Sequence, residues 1–104
     1  MQSSFEETVN EVVNDTPNEV FTETAAKVIF QHLEMNYQLK PENVAENIDA
    51  FKEGLEGFLS SGALAIEGII VNRLYGRFHM KYESREGWTF GDYIKDLKQQ
   101  VASL

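Results

Sequence analysis

Residues 61–78 have the sequence SGALAIEGIIVNRLYGRF, in which apolar residues predominate. Glu67 is the only charged residue in its apolar run Ala63–Val71. With a turn of about 100° per residue, the large apolar side chains fall on one broad arc, which predicts a helix from Gly62 to about Phe78. Glu67 lies inside that arc, so we expect its carboxyl group to be at least partly buried.

A buried carboxylate needs a partner, because leaving it ionised and unpaired away from water is costly. Glu67 must therefore find a donor or take up a proton. His32 is one candidate, since it projects onto the apolar side of its own predicted helix. Other partners stay equally open: Lys27, Arg73, Arg77, a tyrosine hydroxyl and the Trp88 indole.

The rest of the chain has helical apolar spacing almost throughout, which predicts an all-α bundle. We expect a compact bundle of about five helices with short connections, in which the fourth helix is central. The first predicted helix is short and lies in 1–15, and the second runs from the N-cap Thr16 to about Asn36. The third runs from near Pro41 through Phe58, and the fourth is the one just described. A loop at 81–88 follows, and Thr89 caps the last helix. Gly54 and Gly57 interrupt the third helix and predict either a close helix crossing or a fraying last turn.

Length and composition indicate a single domain spanning 1–104. The chain has 104 residues, of which 42% are hydrophobic, and no cysteine, so disulfides, thiol nucleophiles and cysteine-ligated metals are excluded. No stretch has the apolar length of a membrane span and the amino end lacks a secretion signal, so we expect a cytoplasmic location and no membrane contact. No nucleophile elbow, phosphate-binding glycine loop or spaced metal ligands are present, which predicts a non-enzymatic protein without a cofactor.

The charge is acidic and uneven. The net charge is −8, and residues 1–50 carry ten acidic and two basic side chains, whereas residues 51–104 carry seven of each. A negative field disfavours binding to nucleic acid and to anionic membranes. A basic partner surface would complement it, and simple solubility is the alternative.

Basic residues recur at four-residue spacing in Arg73, Arg77 and Lys81, with aromatic residues between and after them. Such a stripe can hold phosphates or an acidic partner, can remain a solvated face, or can meet the acidic amino-terminal half within the molecule. In the following loop, Tyr82 and Trp88 are either an aromatic anchor for a partner or a cap on the core. We take these five residues as a candidate interaction surface.

The segments FKEGLEGFLSSGALAIEGIIVNRLYGRF and FGDYIKDLK resemble the Nitrosopumilus-type output domain family of archaeal signalling proteins, over about residues 22–100. The matching positions are Gly62, Ala63, Ile66, Glu67, Leu74, Tyr75, Phe90, Tyr93 and Leu97. The resemblance implies an all-α regulatory or output module with no catalytic residues. We expect no receiver or sensor to be attached, which would make the chain a free-standing relative.

The leading hypothesis is a small regulatory interaction module in prokaryotic signalling that binds a protein partner or a second copy of itself. The fourth helix, apolar nearly all round, suits either a central helix or a self-association face. The competing hypothesis is a ligand-binding domain in which Glu67 and His32 line a pocket between helices and select a small polar or cationic molecule. A catalytic acid–base pair and nucleic-acid contact through the basic stripe rank below these two.

Overall fold

The computed structural model describes residues 4–103, of which 79% are helical and none lies in a strand. The elements are α1 (Ser4–Val20), α2 (Glu23–Tyr37), a 3₁₀ helix (Pro41–Glu46), α3 (Ile48–Leu59), α4 (Gly62–Arg77) and α5 (Phe90–Ala102). The predicted all-α bundle is confirmed, and the bounds of α4 and the loop at 81–88 agree with the sequence pattern.

The boundary between the first two helices was predicted wrongly. Instead of ending within 1–15, α1 continues through Pro17 to Val20. Thr16 is not an N-cap: it is fully buried, and its hydroxyl donates to the Val12 carbonyl oxygen at 2.7 Å. The cap belongs to Thr22, whose hydroxyl accepts from the Ala25 amide at 3.1 Å. Burial of the α1 stripe continues through Thr16 and Pro17, so packing overrides the local start signal.

The third predicted helix is two elements. Asn47, with φ −138° and ψ 53°, separates the 3₁₀ helix from α3. Asn10 of α1 holds the 3₁₀ helix in place: its side chain accepts from the Ala45 amide at 2.8 Å and donates to the Glu42 carbonyl at 2.9 Å. These side chain–backbone bonds fix Pro41–Glu46 on α1 and prevent a continuous helix into α3.

Helix α4 packs against α1, α3 and α5 and is lined on its inner side by buried residues. These are Ala63, Ile66, Glu67, Ile70, Val71, Leu74 and Tyr75. Its end is joined to α5 by the Tyr75 hydroxyl, which donates to Asp96 Oδ2 at 2.8 Å. α4 is therefore the element around which the bundle is organised, and it presents Glu67 to the interior.

Gly54 marks a close crossing of α2 and α3, as its position in the sequence predicts. A Cβ placed there would lie 2.4 Å from Leu33 Cδ2 and 3.0 Å from the ring of Tyr37. At Gly57 the nearest neighbour would be the Tyr37 hydroxyl oxygen at 3.7 Å, an ordinary contact. Only Gly54 is needed for the helices to approach.

The start of α5 follows the predicted capping box. Thr89 accepts from the Asp92 amide at 3.2 Å, and the Asp92 carboxylate accepts from the Thr89 amide at 2.8 Å. The capping box thereby satisfies two of the backbone amides that the start of a helix leaves without partners. This fixes the junction between the 81–88 loop and α5, opposite the middle of α4.

Candidate functional site

Glu67 is buried on α4, with 5% of its surface exposed, as the apolar arc predicts. Its Oε2 atom has no hydrogen-bond partner within residues 4–103. A buried carboxyl oxygen in this condition is rare in folded proteins and marks a group that holds a proton or awaits a partner.

The groups that act on Glu67 come from α3. The Glu56 carboxylate contacts it, and Lys52 adds a weaker favourable charge. The Lys52 ammonium already pairs with Glu56 Oε2 at 3.0 Å. Two carboxyl groups therefore share one cation, and since ionised carboxylates only accept hydrogen bonds, the two can bond to each other only if one carries a proton.

The pKa of Glu67 is accordingly raised to about 7. Burial is the main cause, the charge of Glu56 and the hydrogen bond to it add to the shift, and Lys52 opposes it. Near neutral pH Glu67 thus exists as a mixture of a neutral acid and a carboxylate.

The structure does not bring His32 to Glu67. His32 is half-buried between α2 and α3, with its ring 4.9 Å from the ring of Phe58, and its Nδ1 is 3.2 Å from the Asn36 amide nitrogen. Its Nε2 has no hydrogen-bond partner among the described residues, and His32 is not among the groups that shift the pKa of Glu67. The proposed pair and the pocket between them are therefore not formed. The four-residue spacing of Lys52 and Glu56 predicts their ion pair on α3, but it does not predict that the pair lies against Glu67.

Glu67 instead borders a recess between α4 and the junction of the 81–88 loop with α5. We call it the Glu67 recess; its volume is about 270 Å³, and its walls are Leu64, Glu67, Gly68, Val71, Tyr82, Trp88, Thr89, Phe90 and Tyr93. Except for Glu67 and Thr89 the lining is apolar or aromatic. Its position could not be read from the sequence because it depends on how the loop folds back over α4.

Tyr93 holds the loop that forms one wall of the recess. Its hydroxyl accepts from the Arg85 amide at 2.7 Å and donates to the Arg85 carbonyl at 3.1 Å. Its ring lies 5.2 Å from the ring of Trp88 and 5.6 Å from that of Tyr82. Trp88 and Tyr82 are half-buried against the core, so they cap it, and they also face the recess.

The arginines of the basic stripe are paired within the molecule. Arg73 forms an ion pair with Glu19, and Arg77 forms one with Glu11, so α4 is joined to the acidic face of α1. This is the intramolecular alternative that the sequence left open.

The cations that follow α4 also have acidic or aromatic neighbours. Lys81 Nζ lies 3.5 Å from Glu83 Oε1, and the Arg85 guanidinium lies over the Trp88 ring at 5.2 Å. The stripe is thus compensated along its length rather than presented as a free positive surface.

A second surface was not predicted from the sequence. On α2, Val28, His32 and Met35 follow one another at spacings of four and three residues, and Phe58 of α3 packs beside His32. Val28 is 45% exposed, Met35 82% and Phe58 40%. We call these four residues the α2–α3 face. Their spacing was visible in the sequence, but only the packing shows that this stripe of α2 points outward.

Within residues 4–103, no cluster of three or more histidine, aspartate or glutamate side chains could hold a metal ion. None of the helices in that range has the length and apolarity needed to cross a membrane.

Comparisons with protein-family models, with curated proteins and with solved structures found no match. The resemblance to the Nitrosopumilus-type output domains therefore stays a prediction. The residues that carry it lie in the core with the exception of Gly62. The resemblance at these positions therefore reflects helical packing more than a functional site.

Proposed function

We propose that this chain is a non-enzymatic regulatory interaction module, of the type used in prokaryotic signalling, that binds a protein partner through the α2–α3 face. The observation that carries the proposal is the exposure of Val28, Met35 and Phe58 on adjoining helices. An exposed, flexible methionine such as Met35 is typical of surfaces that adapt to a partner.

The surroundings of this face indicate the chemistry of the partner. Helices α2 and α3 carry five acidic residues and two lysines, in a molecule whose net charge is −8. An amphipathic helix with an apolar stripe and basic flanks complements both features. A second copy of the chain would bring like charges together, so a basic helix is the favoured occupant.

Binding of a designed helical peptide tests the proposal. A leucine–lysine peptide of amphipathic spacing should bind the wild-type chain in fluorescence anisotropy, and a leucine–glutamate peptide of the same pattern should not. The variant M35Q/F58Q should weaken binding at least tenfold, because it removes the apolar centre and leaves every charge in place. Leu64→Gln is the matched control, since Leu64 is 67% exposed but lies outside the face.

Binding that depends on salt and is unchanged in M35Q/F58Q would contradict the proposal, because it would be charge attraction alone. Light scattering on the free chain tests whether this face binds a second copy of the chain instead. A dimer that M35Q/F58Q dissociates would replace the basic helix with a second copy as the partner of this face.

A further inference from the structure

We propose that the Glu67 recess is a binding site for a small organic amine, whose ammonium group pairs with the Glu67 carboxylate and whose apolar body lies against Trp88, Tyr82 and Tyr93. The site shares no residue with the α2–α3 face, so it can be tested independently of the proposed protein interaction.

An added ammonium group would balance the negative charge around Glu67. On α3, Glu56 pairs with the Lys52 ammonium at 3.0 Å and also bonds to Glu67, whose Oε2 atom has no hydrogen-bond partner within residues 4–103. From the other two sides of the recess the facing titratable groups are the phenols of Tyr82 and Tyr93. Burial raises the pKa of Tyr82, so that phenol stays neutral in the physiological range. A cationic ligand would thus meet a carboxyl group whose Oε2 atom has no partner among the described residues, and no positive group in the lining of the recess.

The shape and lining of the recess indicate the rest of the ligand. A volume of about 270 Å³ accommodates a small ring or a short alkyl chain. Aromatic rings attract cations over their faces, and Trp88 already receives the Arg85 guanidinium at 5.2 Å. Sugars and phosphates do not suit this lining because it offers few hydrogen-bond donors.

Trp88 reports directly on occupancy because it is the only tryptophan in the chain. Cyclohexylammonium and cyclohexanol are a matched pair of probes with nearly the same shape and different charge. At pH 8 the ammonium probe should change Trp88 emission saturably, with a half-saturation concentration at least tenfold below that of the alcohol. At pH 6, where Glu67 is mostly protonated, its affinity should fall about tenfold.

Glu67→Gln should reduce the affinity for the ammonium probe to that of the alcohol at both pH values. Glu53→Gln, which removes an exposed carboxylate of α3, should leave both probes unchanged. The variant M35Q/F58Q should also bind the ammonium probe normally, which separates this site from the proposed protein interface.

A glycine pair tests the location of the site without changing its charge. A Cβ at Gly68 or at Gly76 would meet nothing within 4 Å, so both positions accept a larger side chain, but only Gly68 borders the recess. Gly68→Leu should weaken both probes at least fivefold, and Gly76→Leu should affect neither. Equal binding of the two probes, no saturable change with either, or full binding by Glu67→Gln would overturn the proposal.

Discussion

Glu67 makes the stability of the fold depend on pH. Its pKa is 4.5 for the ordinary side chain and about 7 in the folded protein, so the folded state binds a proton that the unfolded state releases. The sign follows: the favourable contribution is complete below pH 4.5 and is lost as the pH rises through about 7. Above that range the fold contains a buried carboxylate, and the Lys52 ammonium that acts on it is already paired with Glu56.

The neutral variant Glu67→Gln should remove this dependence. We expect it to match the wild type in free energy of unfolding at pH 5 and to exceed it by about 1 to 3 kcal/mol at pH 8. Urea denaturation at the two pH values measures the difference. Glu53→Gln, on the exposed side of α3, should shift both values alike. Parallel curves for Glu67→Gln and the wild type would show that Glu67 is ionised throughout.

Ser60 ends α3 in a backbone conformation that favours glycine, with φ 52° and ψ −126°. Ser60→Gly should therefore raise the free energy of unfolding by about 1 kcal/mol, measured by the same denaturation. Its neighbour Ser61 has φ −64° and ψ −22°, which any residue adopts. Ser61→Gly is the control and should give no gain; an equal gain from both variants would rule out relief of strain at Ser60.

At the scale of elements, the crossing of α2 and α3 depends on Gly54. Gly54→Ala should lower the free energy of unfolding by about 1 to 3 kcal/mol, because the new methyl group overlaps Leu33 and the Tyr37 ring. Gly57→Ala, one turn later with ordinary contact distances, should be neutral or stabilising through its better helix propensity. Thermal unfolding of the two variants compares them; a stable Gly54→Ala would mean that the helices separate easily.

The elements that sequence reasoning placed well are those in which local signals and burial agree. The arc around Glu67 predicted α4, and Thr89 with Asp92 predicted the start of α5. The signals at Thr16 and near Pro41 misled because long-range contacts compete with them. Thr16 is fully buried and accepts from Arg73 of α4 at 3.5 Å, and Asn10 ties the 3₁₀ helix to α1.

The candidate site was predictable only in part for the same reason. Burial of Glu67 follows from its own helix, whose apolar arc is encoded locally. Its neighbours Glu56 and Tyr82 depend on how other segments pack against that helix, and periodicity within one helix does not determine this. The position of His32 beside Phe58, away from Glu67, is likewise a consequence of packing between helices.

At the scale of the whole molecule, the acidic amino-terminal half and the basic stripe meet each other. The stripe of α4 joins α1 through the pairs Arg73–Glu19 and Arg77–Glu11. The Cα radius of gyration, 13.1 Å, is that of a compact globule of this length. The stripe thus contributes to the closure of the bundle, although exposed pairs of this kind stabilise by at most about 1 kcal/mol each.

This pairing leads us to expect no salt-sensitive binding to duplex DNA, because the arginines are compensated and the net charge is −8. Fluorescence anisotropy with labelled DNA at low salt measures it. A complex that Arg73→Ala and Arg77→Ala weaken would show that the stripe is available to phosphates after all. Lys95→Ala, an exposed lysine on α5, controls for a general loss of positive charge.

Titration of Glu67 itself tests most directly whether its carboxyl group is buried and protonated near neutral pH. Its side-chain carboxyl carbon can be followed by NMR across pH 4 to 9, with Glu67→Gln identifying the signal by its absence. A midpoint near pH 7 is the predicted result, since burial and Glu56 both favour the protonated form. A midpoint near the ordinary 4.5 would show a solvated or fully paired carboxylate, and would contradict both the pH dependence of folding and the unpaired charge on which amine binding relies.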